Sequence, residues 1–547
     1  WIPPRIFRNY DRIDSGVPLA YRKTRTYKRL FAIFASTYLP IHSMADPQQT
    51  YEQLCNHLRQ TTMISTAYDM LGWDEQTYMP PAAGEYRAEQ LAVLATIAHE
   101  RATAPQVGEW LAELEQSPLA EDASGDAAVV IREVRREYDR KTKLPTELVS
   151  AMSRATSLGQ QVWIEARREK DFAKFAPRLE EIFKLKREEA DAVGYTDCRY
   201  DALLDDYEPY AKAAEVGPVL KSLGEALVPL VAAIGESKHQ PDTSIWDRDY
   251  PVAKQKEFGE SIARQLGYDF RGGRIDPTAH PFCTTLGPHD VRLTTRYNDR
   301  DLRAGLFSIM HEAGHGLYEQ GVPAEKFGLP TGESISLGIH ESQSRTWEIQ
   351  VGLSHSFWQR YFSEAQAVFP EALGDVSLDA FHFAVNESRP SLIRVEADEA
   401  TYNLHILIRF ELEMALMADE LPIADLPAAW NDKYQQYLGI TPPDDADGVM
   451  QDVHWSAGLI GYFPTYALGN LYAAQFFSQA RKDLGDIDSQ FASGEFQPLL
   501  DWLRKNIHQH GKRYTAAQLV ERVTGQPLTS DALLTHLRDK FGGLYRL

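Results

Sequence analysis

Apolar residues recur every three or four positions along much of the chain, which is the spacing of amphipathic helices. Residues 129–140 (VVIREVRREYDR) show this pattern with charges between the apolar positions. Residues 179–192 show it too, and Pro177 and Gly194 flank them as expected for the two ends of a helix. Residues 404–421 are apolar on most sides, which predicts a long buried helix. The pattern therefore predicts a mainly α protein.

Strand signals are scarce. The best is the run 291–297 (VRLTTRY), which is rich in β-branched residues and follows Gly287 and Pro288. Stretches with loop composition lie near 116–126, 236–249 and 441–448. We therefore expect one small β-sheet within a helical fold.

The length of 547 residues suggests two domains or one large bilobed unit. With 43% hydrophobic and 11% aromatic residues, the chain can bury a sizeable core. We expect a single bilobed helical unit over residues 44–547, because the motifs described below run from His280 to Trp455 with helical segments on both sides.

The net charge of −21 argues against a nucleic-acid-binding protein, because phosphate neutralisation needs a basic patch. Cys55, Cys198 and Cys283 are odd in number and widely spaced, which fits a reducing compartment better than a disulfide framework. No uninterrupted apolar run approaches the roughly 20 residues of a membrane span. The longest, 226–235, contains Pro229. We therefore expect a cytoplasmic protein with no membrane partner.

Residues 1–43 differ in charge from the rest of the chain. They carry a net charge of +6, which leaves −27 on the remainder. Two interpretations stay open: a basic targeting presequence with a short apolar stretch at 30–38, or an over-extended start ahead of a fold that begins at Met44. We favour the second, because a charged amphipathic segment follows Met44 directly.

The segment HEAGH, which begins at His311, carries the strongest chemical signal. Residues four apart share a helix face, so His311 and His315 can bind one metal ion, while Glu312 reaches a water molecule on it. This is the HExxH pattern of zinc peptidases, in which zinc polarises the peptide carbonyl and lowers the pKa of its water. Gly314 and Gly316 are unfavourable within a helix, so they indicate close approach of backbone or ligand.

A catalytic zinc ion needs a third protein ligand. Glu341 lies 26 residues beyond His315, which leaves room for a turn and an antiparallel helix that would complete a His2Glu site. The alternatives are Glu319, Glu333 and His340. We favour Glu341, although by itself it could equally be a solvated charge paired with Arg345.

Several short segments in a fixed order resemble the motif set of the carboxypeptidase Taq family of zinc metallocarboxypeptidases. They are HPF (280–282), DVRLT (290–294), HEAGH (311–315), HESQ (340–343), IRVEAD (393–398) and GVMQDVHW (448–455). WDEQTYMP (73–80) and YDALLDDYEP (200–209) are also similar. The resemblance runs from about residue 48 to the C-terminus and does not cover residues 1–43.

The resemblance implies zinc, which cobalt can replace, held by His311, His315 and Glu341, with Glu312 as the catalytic base. It implies a large helical fold with a deep central groove, the small sheet near the active site, and a homodimer. The implied activity is removal of single C-terminal residues from peptides with a free carboxylate, with broad specificity and poor cleavage next to proline.

A carboxypeptidase needs a cation that captures the terminal carboxylate, and arginine suits this through bidentate geometry. Arg394, in IRVEAD, is the leading candidate by resemblance, and Arg292 is the second. Each could instead form a structural salt bridge, Arg394 with Asp398 four residues on.

Charge that develops on the carbonyl oxygen needs a hydrogen-bond donor opposite the metal. His454 is the natural choice, and Tyr462 could add a phenol. Their alternatives are a core histidine bonded to Asp452 or the backbone, and ordinary aromatic packing. His280 is expected to shape the site near the strand without a chemical role.

Residues 73–80 and 200–209 are interpreted as structural, the first for packing or dimer contact. The hypothesis is therefore a zinc metallocarboxypeptidase. A helical HExxH endo-oligopeptidase stays an alternative, as does a non-hydrolytic peptide-binding protein with a structural zinc. The second is disfavoured because such a protein has no use for Glu312 beside an open metal position.

Overall fold

Helices make up most of residues 46–547, the part of the chain that the computed structural model describes. In chain order they are α1 (Pro47–Thr77), α2 (Gly84–Ala102), α3 (Pro105–Leu114), α4 (Asp126–Lys143), α5 (Thr146–Glu169), α6 (Phe172–Val193), α7 (Arg199–Leu204), α8 (Ala213–Glu236), α9 (Val252–Leu266), α10 (Leu302–Glu319), α11 (Leu337–Arg345), α12 (His355–Val368), α13 (Pro370–Leu373), α14 (Leu378–Val385), α15 (Tyr402–Met417), α16 (Leu426–Leu438), α17 (Pro464–Leu484), α18 (Ile487–Ser493), α19 (Gln497–Asn506), α20 (Ala516–Thr524) and α21 (Asp531–Tyr545). A π-helical turn, Thr346–Val351, continues α11. The mainly α prediction is confirmed, and the predicted extension 1–43 lies outside the described residues.

The small sheet is present as predicted. Its strands are β1 (Gly273–Pro277), β2 (Cys283–Gly287) and β3 (Asp290–Thr295). The central strand is β3, which runs parallel to β1 and antiparallel to β2. It ends at Thr295, slightly before the predicted end at 297, and it packs against α10. The sheet therefore supports the helix that carries the HEAGH segment.

The predicted helix over 179–192 is confirmed, but Pro177 does not mark its start. α6 begins at Phe172, where the Asp171 side chain accepts a backbone hydrogen bond as the N-cap, and Pro177 lies inside the helix. An internal proline removes one backbone hydrogen bond. Here the cap and the burial of Phe172 and Phe175 outweigh that loss. The predicted end is confirmed, because Gly194 follows α6 with a φ of 91°.

The other two predicted helices are also present. α4 contains all of residues 129–140. α15 is buried along most of its length but ends at Met417 rather than at 421. It ends early because Asp419 adopts a left-handed backbone with a φ of 58°, which a continuing helix does not allow.

Two groups of buried apolar side chains form the core of residues 46–547. The larger extends from α5 to α21, and the smaller joins α1, α3 and α4 with Leu329. The sheet and α10, α11, α15 and α17 all contribute to the larger group. The candidate metal ligands therefore lie on elements of the main core, and the single bilobed unit over 44–547 stays a prediction.

Within the described residues, α8 is the one helix with the length and composition of a membrane span, with a mean hydropathy of 1.4. This differs from the expectation from the sequence, which counted the uninterrupted run 226–235 alone. A third (33%) of the apolar window is buried, and Leu220, Leu223 and Leu227 pack into the main core. A core helix meets the same criteria, so they are weak evidence for a membrane span.

The two glycines of the HEAGHG segment lie where α10 is crossed by other elements. A Cβ on Gly314 would lie 2.5 Å from the Ser344 Cα and 2.6 Å from the Gln343 carbonyl oxygen, both on α11. A Cβ on Gly316 would lie 2.9 Å from Leu293 on β3. The predicted close approach is therefore confirmed as contact with the backbone of α11 and with the sheet.

We expect Gly314→Ala to lower the free energy of unfolding by about 1–3 kcal/mol, because its methyl group meets backbone atoms that cannot move aside. Urea unfolding measures this change. Gly542→Ala in α21 is the matched control, since nothing lies within 4 Å of its Cβ. The control should gain up to about 1 kcal/mol from the better helix propensity of alanine. Equal losses in both variants would contradict the packing argument.

Candidate active site

Two helices bring together His311, His315 and Glu341. The histidines lie one turn apart on α10, and Glu341 lies on α11. Glu341 Oε2 is 3.6 Å from His311 Nε2 and 3.5 Å from His315 Nε2. Within residues 46–547 this is the one group of three or more such side chains placed to hold a metal ion.

The three side chains fit a zinc ion. Zinc–nitrogen and zinc–oxygen bonds of about 2.0–2.2 Å at tetrahedral angles put neighbouring ligand atoms roughly 3.4 Å apart. The two distances from Glu341 are close to that value. Burial lowers the pKa of His315 well below its usual value, which favours the neutral form that a metal ligand requires. Two imidazoles and a carboxylate are one of the ligand sets that catalytic zinc sites use.

The alternative third ligands have partners elsewhere. Glu319 Oε1 lies 2.9 Å from His340 Nε2, and its other oxygen accepts a hydrogen bond from Thr285. Glu333 accepts a hydrogen bond from Lys512 at 2.7 Å. The His340 ring stacks on His315 with centroids 4.4 Å apart, so it supports a ligand ring. The structure therefore brings Glu341 to the two histidines.

Glu348 is a residue of this site that the sequence interpretation missed. Its Oε2 lies 2.8 Å from His311 Nδ1, the ring nitrogen that faces away from Glu341. Arg345 donates to Glu341 at 2.8 Å and to Glu348 at 3.1 Å. A carboxylate at this position fixes the orientation of a metal-binding histidine. The sequence signal that could have identified it is its spacing, because a residue seven positions, or two helical turns, beyond Glu341 lies on the same helix face.

Neighbouring charges shift the pKa values of the candidate metal ligands Glu341 and His311. Burial opposes ionisation of Glu341, yet Arg345 and the two histidines hold its pKa well below the usual value. The pKa of His311 is raised, because the attraction of Glu341 and Glu348 outweighs its burial. A metal ion that binds His311 therefore displaces a proton.

Glu312 is buried beside the ligands, with 3% of its surface exposed. Burial raises its pKa to about 7, and His311 opposes that shift. Its Oε2 has no hydrogen-bond partner among the described residues. A buried carboxylate oxygen without a partner is costly, so this atom is suited to contact a water molecule or substrate at the site.

Arg394 lies in a 3-10 turn and is buried. It donates through Nε and Nη2 to Asp452 at 2.9 and 3.1 Å, and through Nη1 to the Tyr402 hydroxyl at 3.0 Å. Asp398, the alternative partner inferred from sequence, instead accepts hydrogen bonds from Ser388 and Thr401. The alternative of a structural salt bridge is therefore present for Arg394, but its partner is Asp452 and not Asp398.

Asp452 holds a second arginine as well, since Arg409 also donates to it. Burial disfavours the charge of Asp452, but the two guanidinium groups hold its pKa well below the usual value. Tyr402 links this cluster to the metal group, because the Arg345 guanidinium lies 4.7 Å from the centre of its ring. Arg394 is therefore oriented by Asp452 and Tyr402 and lies one aromatic ring away from Arg345.

Arg292 and His280 lie at the sheet. Arg292, on β3, pairs with Asp290 through two contacts of 2.8 Å and lies over the Trp73 ring at 4.3 Å. The segment 73–80 thus packs against the sheet, which agrees with its predicted packing role. His280 is exposed between β1 and β2, and Phe282 of the same motif is buried.

His454 and Tyr462 lie together in an aromatic cluster. Their ring centroids are 5.5 Å apart, and the His454 ring is 4.6 Å from Phe463. Burial lowers the pKa of His454 well below its usual value, so the ring is neutral. Neither ring nitrogen of His454 makes a hydrogen bond within residues 46–547, and Nδ1 is 3.9 Å from Asp452. The described residues therefore provide no hydrogen bond to His454 from Asp452 or from the backbone, which the alternative role of this residue assumed.

Cavities flank the metal-ligand group. One of about 240 Å³ lies between α1 and β2, and Asp69, Glu319, His340 and Lys512 are among its lining residues. Another, of about 140 Å³, is lined by Arg345, Glu348, Tyr402 and Asn470 among others. The first cavity reaches His340, which stacks on His315, and the second reaches Arg345 and Glu348, which contact Glu341 and His311.

Comparisons with known proteins agree with the motif resemblance. The family model described as Carboxypeptidase Taq (M32) metallopeptidase matches residues 53–541. Thermostable carboxypeptidase 1 of Thermus thermophilus is 49% identical over 509 residues, which cover 91% of this chain and 99% of that protein. Carboxypeptidase 1 of Bacillus subtilis is 40% identical, with 91% and 99% covered.

Solved structures are similar over nearly the same length. The M32 carboxypeptidase from Deinococcus radiodurans has a TM-score of 0.88 and 40% identity, covering 91% of this chain and 100% of that chain. Trypanosoma cruzi metallocarboxypeptidase 1 has a TM-score of 0.83 and 31% identity, covering 91% and 100%. The resemblance and the fold class predicted from the sequence are both confirmed.

Proposed function

The chain belongs to the carboxypeptidase Taq family of metallopeptidases, and on this basis we propose that it uses zinc to remove amino acids singly from the C-termini of peptides. The enzyme class follows from the family and from relatives named carboxypeptidases. The choice of zinc, the broad specificity and the route of the proton are the parts that we propose here.

His311, His315 and Glu341 would hold the ion. Zinc bound there would polarise the scissile carbonyl and lower the pKa of a coordinated water molecule. Co²⁺ accepts imidazole and carboxylate ligands too, so we expect it to substitute. The single observation that carries the proposal is the convergence of these three side chains next to Glu312, whose Oε2 has no hydrogen-bond partner among the described residues.

Glu312 serves as the general base. Its Oε2 is buried and has no hydrogen-bond partner among the described residues, so it can accept a proton from the attacking water. The same oxygen then returns that proton to the nitrogen of the leaving amino acid. A raised pKa suits both steps, because a carboxylate with a pKa near 7 accepts and releases a proton readily.

His454 donates a hydrogen bond to the carbonyl oxygen as negative charge develops on it. The neutral ring has one N–H donor, and neither nitrogen makes a hydrogen bond within the described residues. Tyr462, whose ring is 5.5 Å from His454, could add its hydroxyl to the same oxygen.

Arg394 binds the terminal carboxylate. Three of its N–H groups are used by Asp452 and Tyr402, and a guanidinium has five, so donors remain for the substrate. Asp452 holds the group in place, which lowers the entropy lost on binding. Arg292 is the second candidate, while His280 keeps its predicted shaping role. The homodimer and the cytoplasmic location also stay predictions.

We expect the zinc-loaded chain to convert a peptide with free termini into a ladder of products that each lack one more C-terminal residue. Mass spectrometry detects the ladder, and a chelator should stop it. The same peptide with an amidated C-terminus should stay largely intact, because Arg394 then has no carboxylate to bind. Internal cleavage of the amidated peptide would favour an endo-oligopeptidase, and binding without cleavage would favour a peptide-binding protein.

A further inference from the structure

The segment 200–209 has a role in the structure that its sequence did not reveal. It contains Glu208, whose side chain is fully buried. Ser336 and Tyr472 each donate a hydroxyl hydrogen bond of 3.0 Å to Glu208 Oε1. The backbone N–H of Gly338 donates to Oε2, also at 3.0 Å. Glu208 therefore joins the start of α11 to α17.

The first turn of α11 depends on this segment for its hydrogen bonds. The first N–H groups of a helix have no partner within the helix. In α11 the N–H of Leu337 donates to the Tyr207 carbonyl at 3.0 Å, and that of Gly338 donates to Glu208. The Ser336 hydroxyl accepts a hydrogen bond from the N–H of Ile339, and the N–H of His340 makes the first regular helical bond, to the Ser336 carbonyl. Of the three N–H groups at Leu337, Gly338 and Ile339, two are thus held by the segment 200–209, one of them by a carboxylate at the positive end of the helix.

Sideways movement of α11 is prevented by close packing on two faces. Gly314 of α10 leaves no room for a Cβ against the α11 backbone. From α17, a Cβ on Gly469 would collide with the Glu341 side chain. Such packing fixes the distance between the helices. It does not by itself fix the position of α11 along its own axis, because a glycine has no side chain that would interlock with the neighbouring helix.

We propose that Glu208 is a positioning residue of the metal centre, which fixes where α11 begins and so how far Glu341 reaches toward His311 and His315. The inference rests on the metal centre proposed above. A slip of one residue along a helix is 1.5 Å. Metal–ligand distances tolerate only about 0.2 Å, so an α11 with a loosened start would bind the ion less tightly.

Gly338 shows how closely this contact is fitted. A Cβ at this position would lie 2.6 Å from Glu208 Oε2, so the absence of a side chain lets the carboxylate reach the helix N–H. Burial raises the pKa of Glu208 to about 7. The test is therefore made at about pH 8, where the carboxylate is ionised.

The test is the zinc Kd of Glu208→Gln, measured by competition with a chromophoric chelator. The carboxamide keeps the shape of the side chain but replaces one acceptor oxygen with an NH2 group, which is a donor. That NH2 group would face either the Gly338 N–H or the hydroxyls of Ser336 and Tyr472, and one of these contacts would be lost. We expect the Kd to rise about 10–100-fold. The visible absorption of the Co²⁺ form should also change, because the position of the carboxylate ligand changes.

Glu133→Gln is the matched control. Glu133 is also buried and accepts hydrogen bonds from Tyr210 at 3.0 Å and from Arg132 at 2.7 Å. Neither of these donors lies on α11. Both variants should lose thermal stability, and only Glu208→Gln should lose zinc affinity. If Glu208→Gln does not fold, Glu208→Asp, which keeps the charge at a longer distance, takes its place with the same expected direction.

An unchanged zinc Kd and Co²⁺ spectrum in the Glu208 variant would overturn the positioning role, as would equal changes in Glu133→Gln. A wild-type chain that binds zinc but gives no C-terminal ladder would contradict the proposed function alone. A wild-type chain that binds no zinc would overturn both proposals.

Discussion

Glu312→Gln is expected to lower kcat/KM for a peptide with a free C-terminus by at least about 100-fold, while the zinc content stays near one ion per chain. Glutamine keeps the size of the side chain but cannot accept a proton from water. Glu312 is not one of the three converging ligands, so the ion should stay bound. Steady-state kinetics and elemental analysis of the same preparation measure the two results.

Glu257→Gln, an exposed change on α9, is the control for this experiment. Its kcat/KM should equal that of the wild type within error. If Glu312→Gln retains wild-type activity with zinc bound, Glu312 is not the base. If it loses zinc together with activity, Glu312 is needed to hold the ion, which contradicts its predicted role as a base that does not bind the metal.

Removal of the metal is expected to abolish peptidase activity and to lower stability. An ion that binds only the folded chain adds about 2.7 kcal/mol to the free energy of unfolding when its free concentration is about 100 times the Kd. Dialysis against a chelator should therefore lower the unfolding midpoint as well as the activity. Zn²⁺ or Co²⁺ should restore both, whereas Mg²⁺ should not, because it prefers oxygen ligands in octahedral geometry.

Two glutamate variants show which carboxylate holds the ion. Glu341→Gln should raise the zinc Kd at least about 10-fold, because it removes a charged ligand from a His2Glu site. Glu333→Gln, an alternative third ligand by sequence, bonds to Lys512 and should leave the Kd unchanged. The reverse result would assign the third ligand to Glu333, and equal losses would indicate a general effect on the fold.

Local features of this protein were predictable from its sequence. The helical period places His311 and His315 on one face whatever surrounds the helix, so the metal motif could be identified without a structure. The mainly α class followed from the same period, and the small sheet from one β-branched run. The order of several motifs was sufficient to recognise the family, which the comparisons confirm.

Features that depend on contact with a neighbouring element were predicted less accurately from the sequence. A proline favours the first turn of a helix, so the sequence predicts that α6 starts near Pro177, but burial of Phe172 and Phe175 extends the helix before it. The spacing of four residues makes Asp398 a local partner for Arg394, whereas its partner in the fold is Asp452. In both cases tertiary packing outweighed a local preference.

By itself, then, the sequence determined the residues that share a helix face and the family to which the chain belongs. The tertiary structure decided which carboxylate meets the two histidines, which one orients His311, and how Glu208 holds the start of α11. The physical reason is that a helix fixes the relation between residues within one turn or two. The meeting of two helices depends on the shapes of all the side chains and glycines between them, and no local period encodes those shapes.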